Sequence, residues 1–165
     1  LRSRLSVKPG SEANPNAQTV ILANCHLDSR NPTQGRSRSQ RWSRAALDSL
    51  AKAGKPHPAH GFKLRYANPA NGKHPFPTMA VSMQRLPAGF AGKTYRSTGS
   101  AVFAVHKGRG EARVGEERFA IAPHDVFVAP PWAPYSFSAE SELDLFSYSD
   151  RAGQEALGYW REQFE

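Results

Sequence analysis

The sequence predicts a mainly β chain, an antiparallel barrel or sandwich with a short helix before it and another after it. Two observations carry this. About seven short segments rich in β-branched and aromatic residues follow one another between residues 80 and 148, separated by Gly- and Pro-containing turns. Apolar stripes at helical spacing flank this region on both sides.

The elements follow in order. Residues 1–40 are rich in Ser, Arg, Asn, Pro and Gln with few aromatics, and bury too little apolar surface to offset chain entropy, so they are expected to form a basic, disordered arm. Residues 41–78 are read as a helix and an extended linker. Ser43 caps a helix running to about Ala53, because Trp42, Ala46, Leu47 and Leu50 form a stripe and Gly54 with Pro56 stops it. Phe62, Leu64 and Tyr66 then alternate with Lys63 and Arg65, and Asn68-Pro69 and Asn71-Gly72 signal a loop.

The barrel is assigned to residues 79–149. Ala80 to Leu86 ends at Pro87-Ala88-Gly89, and Ser100 to His106 ends at Lys107-Gly108-Arg109-Gly110. Glu111 to Val114 and Arg118 to Ile121 flank Gly115-Glu116 as a hairpin. Val126 to Ala129, Tyr135 to Ser138 and Leu143 to Tyr148 complete the set. Asp150 caps a last helix over 150–165, with Ala156, Leu157, Trp160 and Phe164 on one face.

Composition narrows the classes of function. The 165 residues carry a formal charge of +8, but residues 1–44 hold eight Lys/Arg against two Asp/Glu, while residues 45–165 hold fourteen against twelve. The folded part therefore has no strong field for a phosphate backbone. The Arg36, Arg38, Arg41, Arg44 series reads as a solvated tail, and nucleic acid is not expected as a partner. Cys25 is the one cysteine; it allows no internal disulfide and no thiolate cluster, and Cys25-His26 lacks a second ligand pair. No run reaches the roughly 18 to 20 apolar residues of a membrane helix, so a cytoplasmic chain with no membrane partner is expected. The chain opens on Leu1 rather than Met, and a piece of a longer reading frame is expected.

One frame of spacing carries a resemblance. Gly89, five residues, Tyr95, one, Ser97, three, Ala101, six, Gly108 is similar to the first cupin motif, whose three inner positions are His, His and Glu. In the second motif His124 stands where Gly is usual, five residues lead to Pro130, Trp132 replaces another Gly, and Tyr135 and Ala139 replace the His and Asn. Tyr95, Ser97, Ala101 and Tyr135 therefore occupy metal-ligand positions without being a metal-ligand set. Divalent metals need imidazoles or carboxylates converging at about 2.0 to 2.2 Å, which Ser and Ala cannot supply. Tyrosinate is an iron ligand in some proteins, so Tyr95 with Tyr135 is the one remaining donor pair. No metal and no catalytic residue are expected in this chain.

More narrowly, Arg41 to Glu165 resembles the C-terminal half of gentisate 1,2-dioxygenase. The blocks are Leu64-Arg65-Tyr66-Ala67-Asn68-Pro69, Tyr95-Arg96-Ser97-Thr98, Pro123-His124-Asp125-Val126-Phe127-Val128 and Phe146-Ser147-Tyr148-Ser149-Asp150-Arg151, with Glu155-Ala156-Leu157-Gly158 after them. The resemblance implies a cupin-type jelly-roll barrel in a bicupin enzyme, with Fe(II) held by three histidines of the N-terminal cupin. It also implies that the second cupin commonly lacks ligands, and that the partners are that N-terminal half and further copies in a homo-oligomer. The family reaction would open gentisate with O2 to maleylpyruvate; salicylate-type and hydroxynaphthoate-type relatives share this half. No His-x-His is present here to map those ligands.

Other polar residues read as structural. His106 and His124 adjoin turns, and His57, His60 and His74 lie among prolines. Glu111 and Asp125 sit beside turns or strand ends, where carboxylates meet water or a backbone N–H. Arg96, between two barrel-facing positions, is expected to point outward toward whatever covers the barrel, as a possible interface residue. Val102 and Ala104 would face outward too, leaving an apolar outer face that another element or protomer covers. Trp132, Phe137 and Phe146 read as core, with a pocket lined by Tyr95 and Tyr135 as the alternative and Trp132 a possible part of it. Two functions remain: the structural half of a ring-cleaving dioxygenase, or a stand-alone metal-free cupin that binds a small molecule or mediates oligomerisation.

Overall fold

In a computed structural model, residues 7–8, 19–20, 38–68 and 70–165 are described. Most of the basic arm expected over 1–40 lies outside them. Its described parts are β1 (Val7–Lys8) paired antiparallel to β2 (Thr19–Val20), and the start of helix α1 (Arg38–Ala53).

Ten further strands build two facing five-stranded sheets. One has the order β3 (Phe62–Arg65), β4 (Ala80–Leu86), β11 (Leu143–Ser149), β6 (Ala101–Lys107), β9 (Val126–Ala129). The other has the order β12 (Glu162–Phe164), β5 (Tyr95–Ser97), β10 (Tyr135–Ala139), β7 (Gly110–Val114), β8 (Glu117–Ile121). Every pairing is antiparallel, and the jumps in strand order are those of a jelly roll. Helix α2 (Arg151–Ala156) lies between β11 and β12. Among the described residues no helix is long and apolar enough to cross a membrane.

The period-two pattern sorts side chains between two cores. Leu86, Phe103, Val105, Ala112, Phe137 and Leu145 are among those filling the space between the sheets. Phe103, Phe127 and Phe137 form an aromatic group there, with Phe103–Phe127 stacked at 5.2 Å and Phe103–Phe137 edge-on at 5.1 Å. On the opposite face of the first sheet, Phe62, Leu64 and Met83 pack under Ala46, Leu47 and Leu50 of α1. Burying a leucine such as Leu47 fully contributes about 1.5–3 kcal/mol.

Beneath α1 lies an ion pair. Arg85 of β4 donates from Nε to Asp144 Oδ1 at 2.7 Å and from Nη2 to Asp144 Oδ2 at 3.0 Å, a two-pronged contact with a fully buried carboxylate. Its Nη1 reaches Asp48 of α1, tying helix to sheet. The hydrogen bonds to Asp144, against the opposing effect of burial, drive the guanidinium further toward its charged form.

Several sequence readings change. Helix α1 starts at Arg38, so Ser43 lies inside it and its hydroxyl pairs with the Tyr66 hydroxyl at 2.7 Å instead of capping. The Trp42 side chain lies outside the described residues. The 62–65 segment, read as a linker, is an edge strand hydrogen-bonded along β4. The last helix ends at Ala156 instead of reaching 165: Gly158 takes φ 74°, which an L side chain resists, and Glu162–Phe164 turns back to pair with β5. Gly108 is required for a different reason, since a Cβ there would lie 2.1 Å from the Glu142 carbonyl oxygen.

Candidate functional site

Of the four residues expected at ligand positions, Tyr95, Ser97 and Tyr135 lie on the paired strands β5 and β10, and Ala101 lies on β6 of the facing sheet. Tyr95 and Tyr135 are in-register partners on β5 and β10, both buried, with rings edge-on at 5.3 Å. Ser97, two residues from Tyr95 and on the same face, is buried and donates to the Gly99 carbonyl at 3.3 Å. Ala101 opens β6 and packs against the main core. Strand alternation therefore aims all four inward.

Arg96 points the other way. Its Nε and Nη2 donate to Gln163 Oε1 at 3.0 and 2.7 Å, and its guanidinium lies 5.0 Å from the Trp132 ring centre. Trp132, read from sequence as core or pocket lining, is instead 43% exposed. Its φ of 61° turns the chain so that the indole meets Arg96 on the outside. His124 has φ 79°, and these are the two positive-φ residues other than glycine among those described. Both stand where the cupin motif usually has Gly, so the backbone of the frame persists although its glycines do not.

Around the tyrosines is a polar cluster that the sequence reading passed over. The 57–61 turn folds over the barrel end through reciprocal His57–Gly61 backbone hydrogen bonds. It buries His60 edge-on to Tyr95 at 4.5 Å and stacks His57 on His60 at 5.1 Å. From the other edge, β12 brings Phe164 to 5.1 Å from Tyr95 and Glu162, whose Oε2 accepts from the Tyr95 hydroxyl at 2.9 Å. Lys63 and Arg65 alternate with the helix-facing Phe62 and Leu64, so they face inward as well. Lys63 is in register with Gln84, which is fully buried on β4. The signals were present in the alternation of β3 and in the Glu162-Gln163-Phe164 triplet, which a helical reading hid.

Burial dominates the electrostatics of this cluster. It holds His60 well below the usual histidine range, helped by the Lys63 and His57 charges, and lowers His57 with help from Lys63. Burial, with Arg151 nearby and Glu162 opposing, brings the Lys63 ammonium down to about 8. Burial and then Glu162 raise the Tyr95 phenol, and burial followed by Tyr95 raises Tyr135.

Of the other candidates, His106 meets Arg44 Nη2 at 3.2 Å, and His74 meets Glu155 Oε2 at 2.7 Å. Asp125 Oδ2 accepts the Ala122 N–H at 2.7 Å, a turn contact, and Glu111 is exposed on β7. Phe137 is core, while Phe146 lies partly buried against the α1 cluster.

Comparison with known proteins places this barrel. No family model matches the chain. It is 45% identical over 120 residues to gentisate 1,2-dioxygenase 1 of Aquipseudomonas alcaligenes, covering 73% of this chain and 35% of that protein. It is 40% identical over 115 residues to a Streptomyces gentisate 1,2-dioxygenase, covering 70% and 32%. Salicylate 1,2-dioxygenase from Pseudaminobacter salicylatoxidans superposes with a TM-score of 0.72 at 32% identity, over 76% of this chain and 38% of that one. The chain belongs to the gentisate 1,2-dioxygenase family of cupins. It spans about a third of the length of the curated relatives it matches.

A gentisate dioxygenase-type cupin raises the question of iron, and the residues at its ligand positions do not fit a divalent cation. Among the described residues no three of His, Cys, Asp and Glu converge on a metal position. Ser97 and Ala101 offer one hydroxyl and one methyl. The tyrosines, the remaining donor pair, have phenols raised by burial, so the tyrosinate form that would bind iron is disfavoured. The Tyr95 hydroxyl is also engaged already, donating a hydrogen bond to Glu162 Oε2.

Proposed function

We propose that this chain is the C-terminal, metal-free cupin of a gentisate 1,2-dioxygenase-like ring-cleaving enzyme, with a structural and assembly role. Its partners are an N-terminal cupin that carries Fe(II) and other copies in a homo-oligomer. One observation carries the reading: of the inward-facing residues expected at ligand positions, Tyr95 and Tyr135 pack as core, Ser97 is buried and Ala101 is partly buried against that core, and together they present no metal set. The reaction of the whole enzyme, gentisate and O2 to maleylpyruvate, belongs to residues outside this barrel.

The outer face of the first sheet supports the assembly role. Val102 lies between Val128 and Tyr148 in register, and with Val126 they form an apolar strip beside the area α1 covers. Val126 and Val128 are 66% and 51% exposed, an uneconomical arrangement for a surface that meets only water.

Two experiments test the proposal. The purified chain supplied with Fe(II) is expected not to consume oxygen in the presence of gentisate; robust turnover refutes the reading. Genomic sequence preceding Leu1 is expected to encode a cupin with a closely spaced His-x-His and a later His. Its absence from an intact gene would favour a stand-alone metal-free cupin.

A further inference from the structure

We infer that the barrel interior beside Tyr95 is a binding site for a small carboxylate anion, received by Gln84, Lys63 and His60. This rests on the reading that the barrel holds no metal.

The first observation is a set of unanswered polar groups. Gln84 is fully buried, yet neither its amide nitrogen nor its amide oxygen has a hydrogen-bond partner. His60 is 8% exposed, and its Nδ1 has no partner. Buried polar atoms are nearly always satisfied, because leaving one unpaired sacrifices its hydration without return. Replacing Gln84 with leucine would abolish that cost while keeping the barrel filled, so the amide calls for a polar guest.

The second observation is where these groups sit. Gln84 faces inward, since its β11 partner Leu145 is main core and its neighbour Met83 packs under α1. Lys63 is its in-register partner on the edge strand, and the buried Arg65 Nε, also unpartnered, lies two residues further along the same face. The chemistry of the guest follows from the balance of donors. Gln84 Nε2, Lys63 Nζ and Arg65 Nε are donors, and the Glu162 carboxylate that reaches Lys63 is offset by the Arg151 guanidinium, which leaves the Lys63 and Arg65 cations in excess. Donor excess with positive charge selects an anion. The edge rings of Tyr95 and His60 favour a single charged head on an apolar body over a fully hydrated phosphate.

The test titrates the 165-residue chain with sodium benzoate, acetate and inorganic phosphate in the presence of EDTA, followed by amide NMR and calorimetry. The expected result is saturable one-to-one binding of benzoate or acetate, with shifts centred on β3, β4 and β5. Gln84→Leu and Lys63→Met should stay folded and weaken it by about tenfold or more. Should Gln84→Leu fail to fold, Lys63→Gln, on the half-buried edge strand, carries the same expectation. Lack of saturation by either carboxylate up to about 10 mM, preference for phosphate, or full affinity in the folded variants would overturn the inference. Failure of carboxylate binding leaves the metal-free reading standing, whereas binding that appears only when Fe(II) replaces EDTA overturns both.

Discussion

Asp144→Ala should be among the most damaging single substitutions in this barrel. The carboxylate is fully buried and makes both prongs of the contact with Arg85, whose side chain is 7% exposed. Removing it strands a buried guanidinium whose other partners are peripheral: Asp48 is 56% exposed, and Glu142 lies 3.8 Å away. Breaking a buried pair from one side costs about 3–5 kcal/mol, and at about 3 °C per kcal/mol for a chain of this size the melting temperature should fall by about 9–15 °C. Asp48→Ala, removing the solvent-exposed partner, should cost at most about 1 kcal/mol. Replacing the pair together, Arg85→Met with Asp144→Leu, should restore most of the loss, because no charge is then left buried. Urea and thermal unfolding of the three variants measure this ordering. A loss under about 1 kcal/mol for Asp144→Ala, or a double variant no better than the single, would refute the reasoning.

Other expectations follow from the same geometry. Leu47→Ala, deleting a fully buried contact between α1 and the sheet, should cost about 2–5 kcal/mol in chemical denaturation. His60 and His57 are both held below their ordinary range, so the unfolded chain takes up protons first as pH falls below about 6.5. Stability should therefore be fully present above that pH and decline beneath it, and His60→Phe should flatten the decline in unfolding curves at pH 7.5 and 5.5. Lys63, brought down to about 8, is expected to titrate near that value when its dimethylated amine is followed by NMR. At His124, exposed with φ 79°, His124→Gly should be neutral to stabilising by about 1 kcal/mol and His124→Val destabilising by about 1–2 kcal/mol, read from thermal melts.

The sequence made the barrel legible because its strands obey a period of two and its turns carry glycine or proline. Phe103 and Val105 turn into the core while Val102 and Ala104 turn out, as alternation requires. The expected hairpin at Gly115-Glu116 joins β7 and β8, with Val114 paired to Glu117. The inward direction of Tyr95, Ser97 and Ala101 was legible through alternation along β5 and β6. What escaped were features set by distant contacts. Glu162–Phe164 is three residues long, and its strand character comes from β5, which a helical stripe through Trp160 and Phe164 concealed. His60 looked like a loop histidine because nothing in its neighbours reveals that the 57–61 turn folds onto Tyr95. Trp132 looked like core because its hydrophobicity was visible and its left-handed backbone was not. The Arg85–Asp144 pair joins residues fifty-nine apart, with no local pattern to announce it.

The central claim is that the inward-facing side chains at the cupin ligand positions cannot grip a divalent cation. Its most direct test is the iron retained per chain after anaerobic loading with Fe(II) and desalting. Retention far below one iron per chain is expected, unchanged in Tyr95→Phe and Tyr135→Phe. One iron per chain, lost in either tyrosine variant, would contradict it.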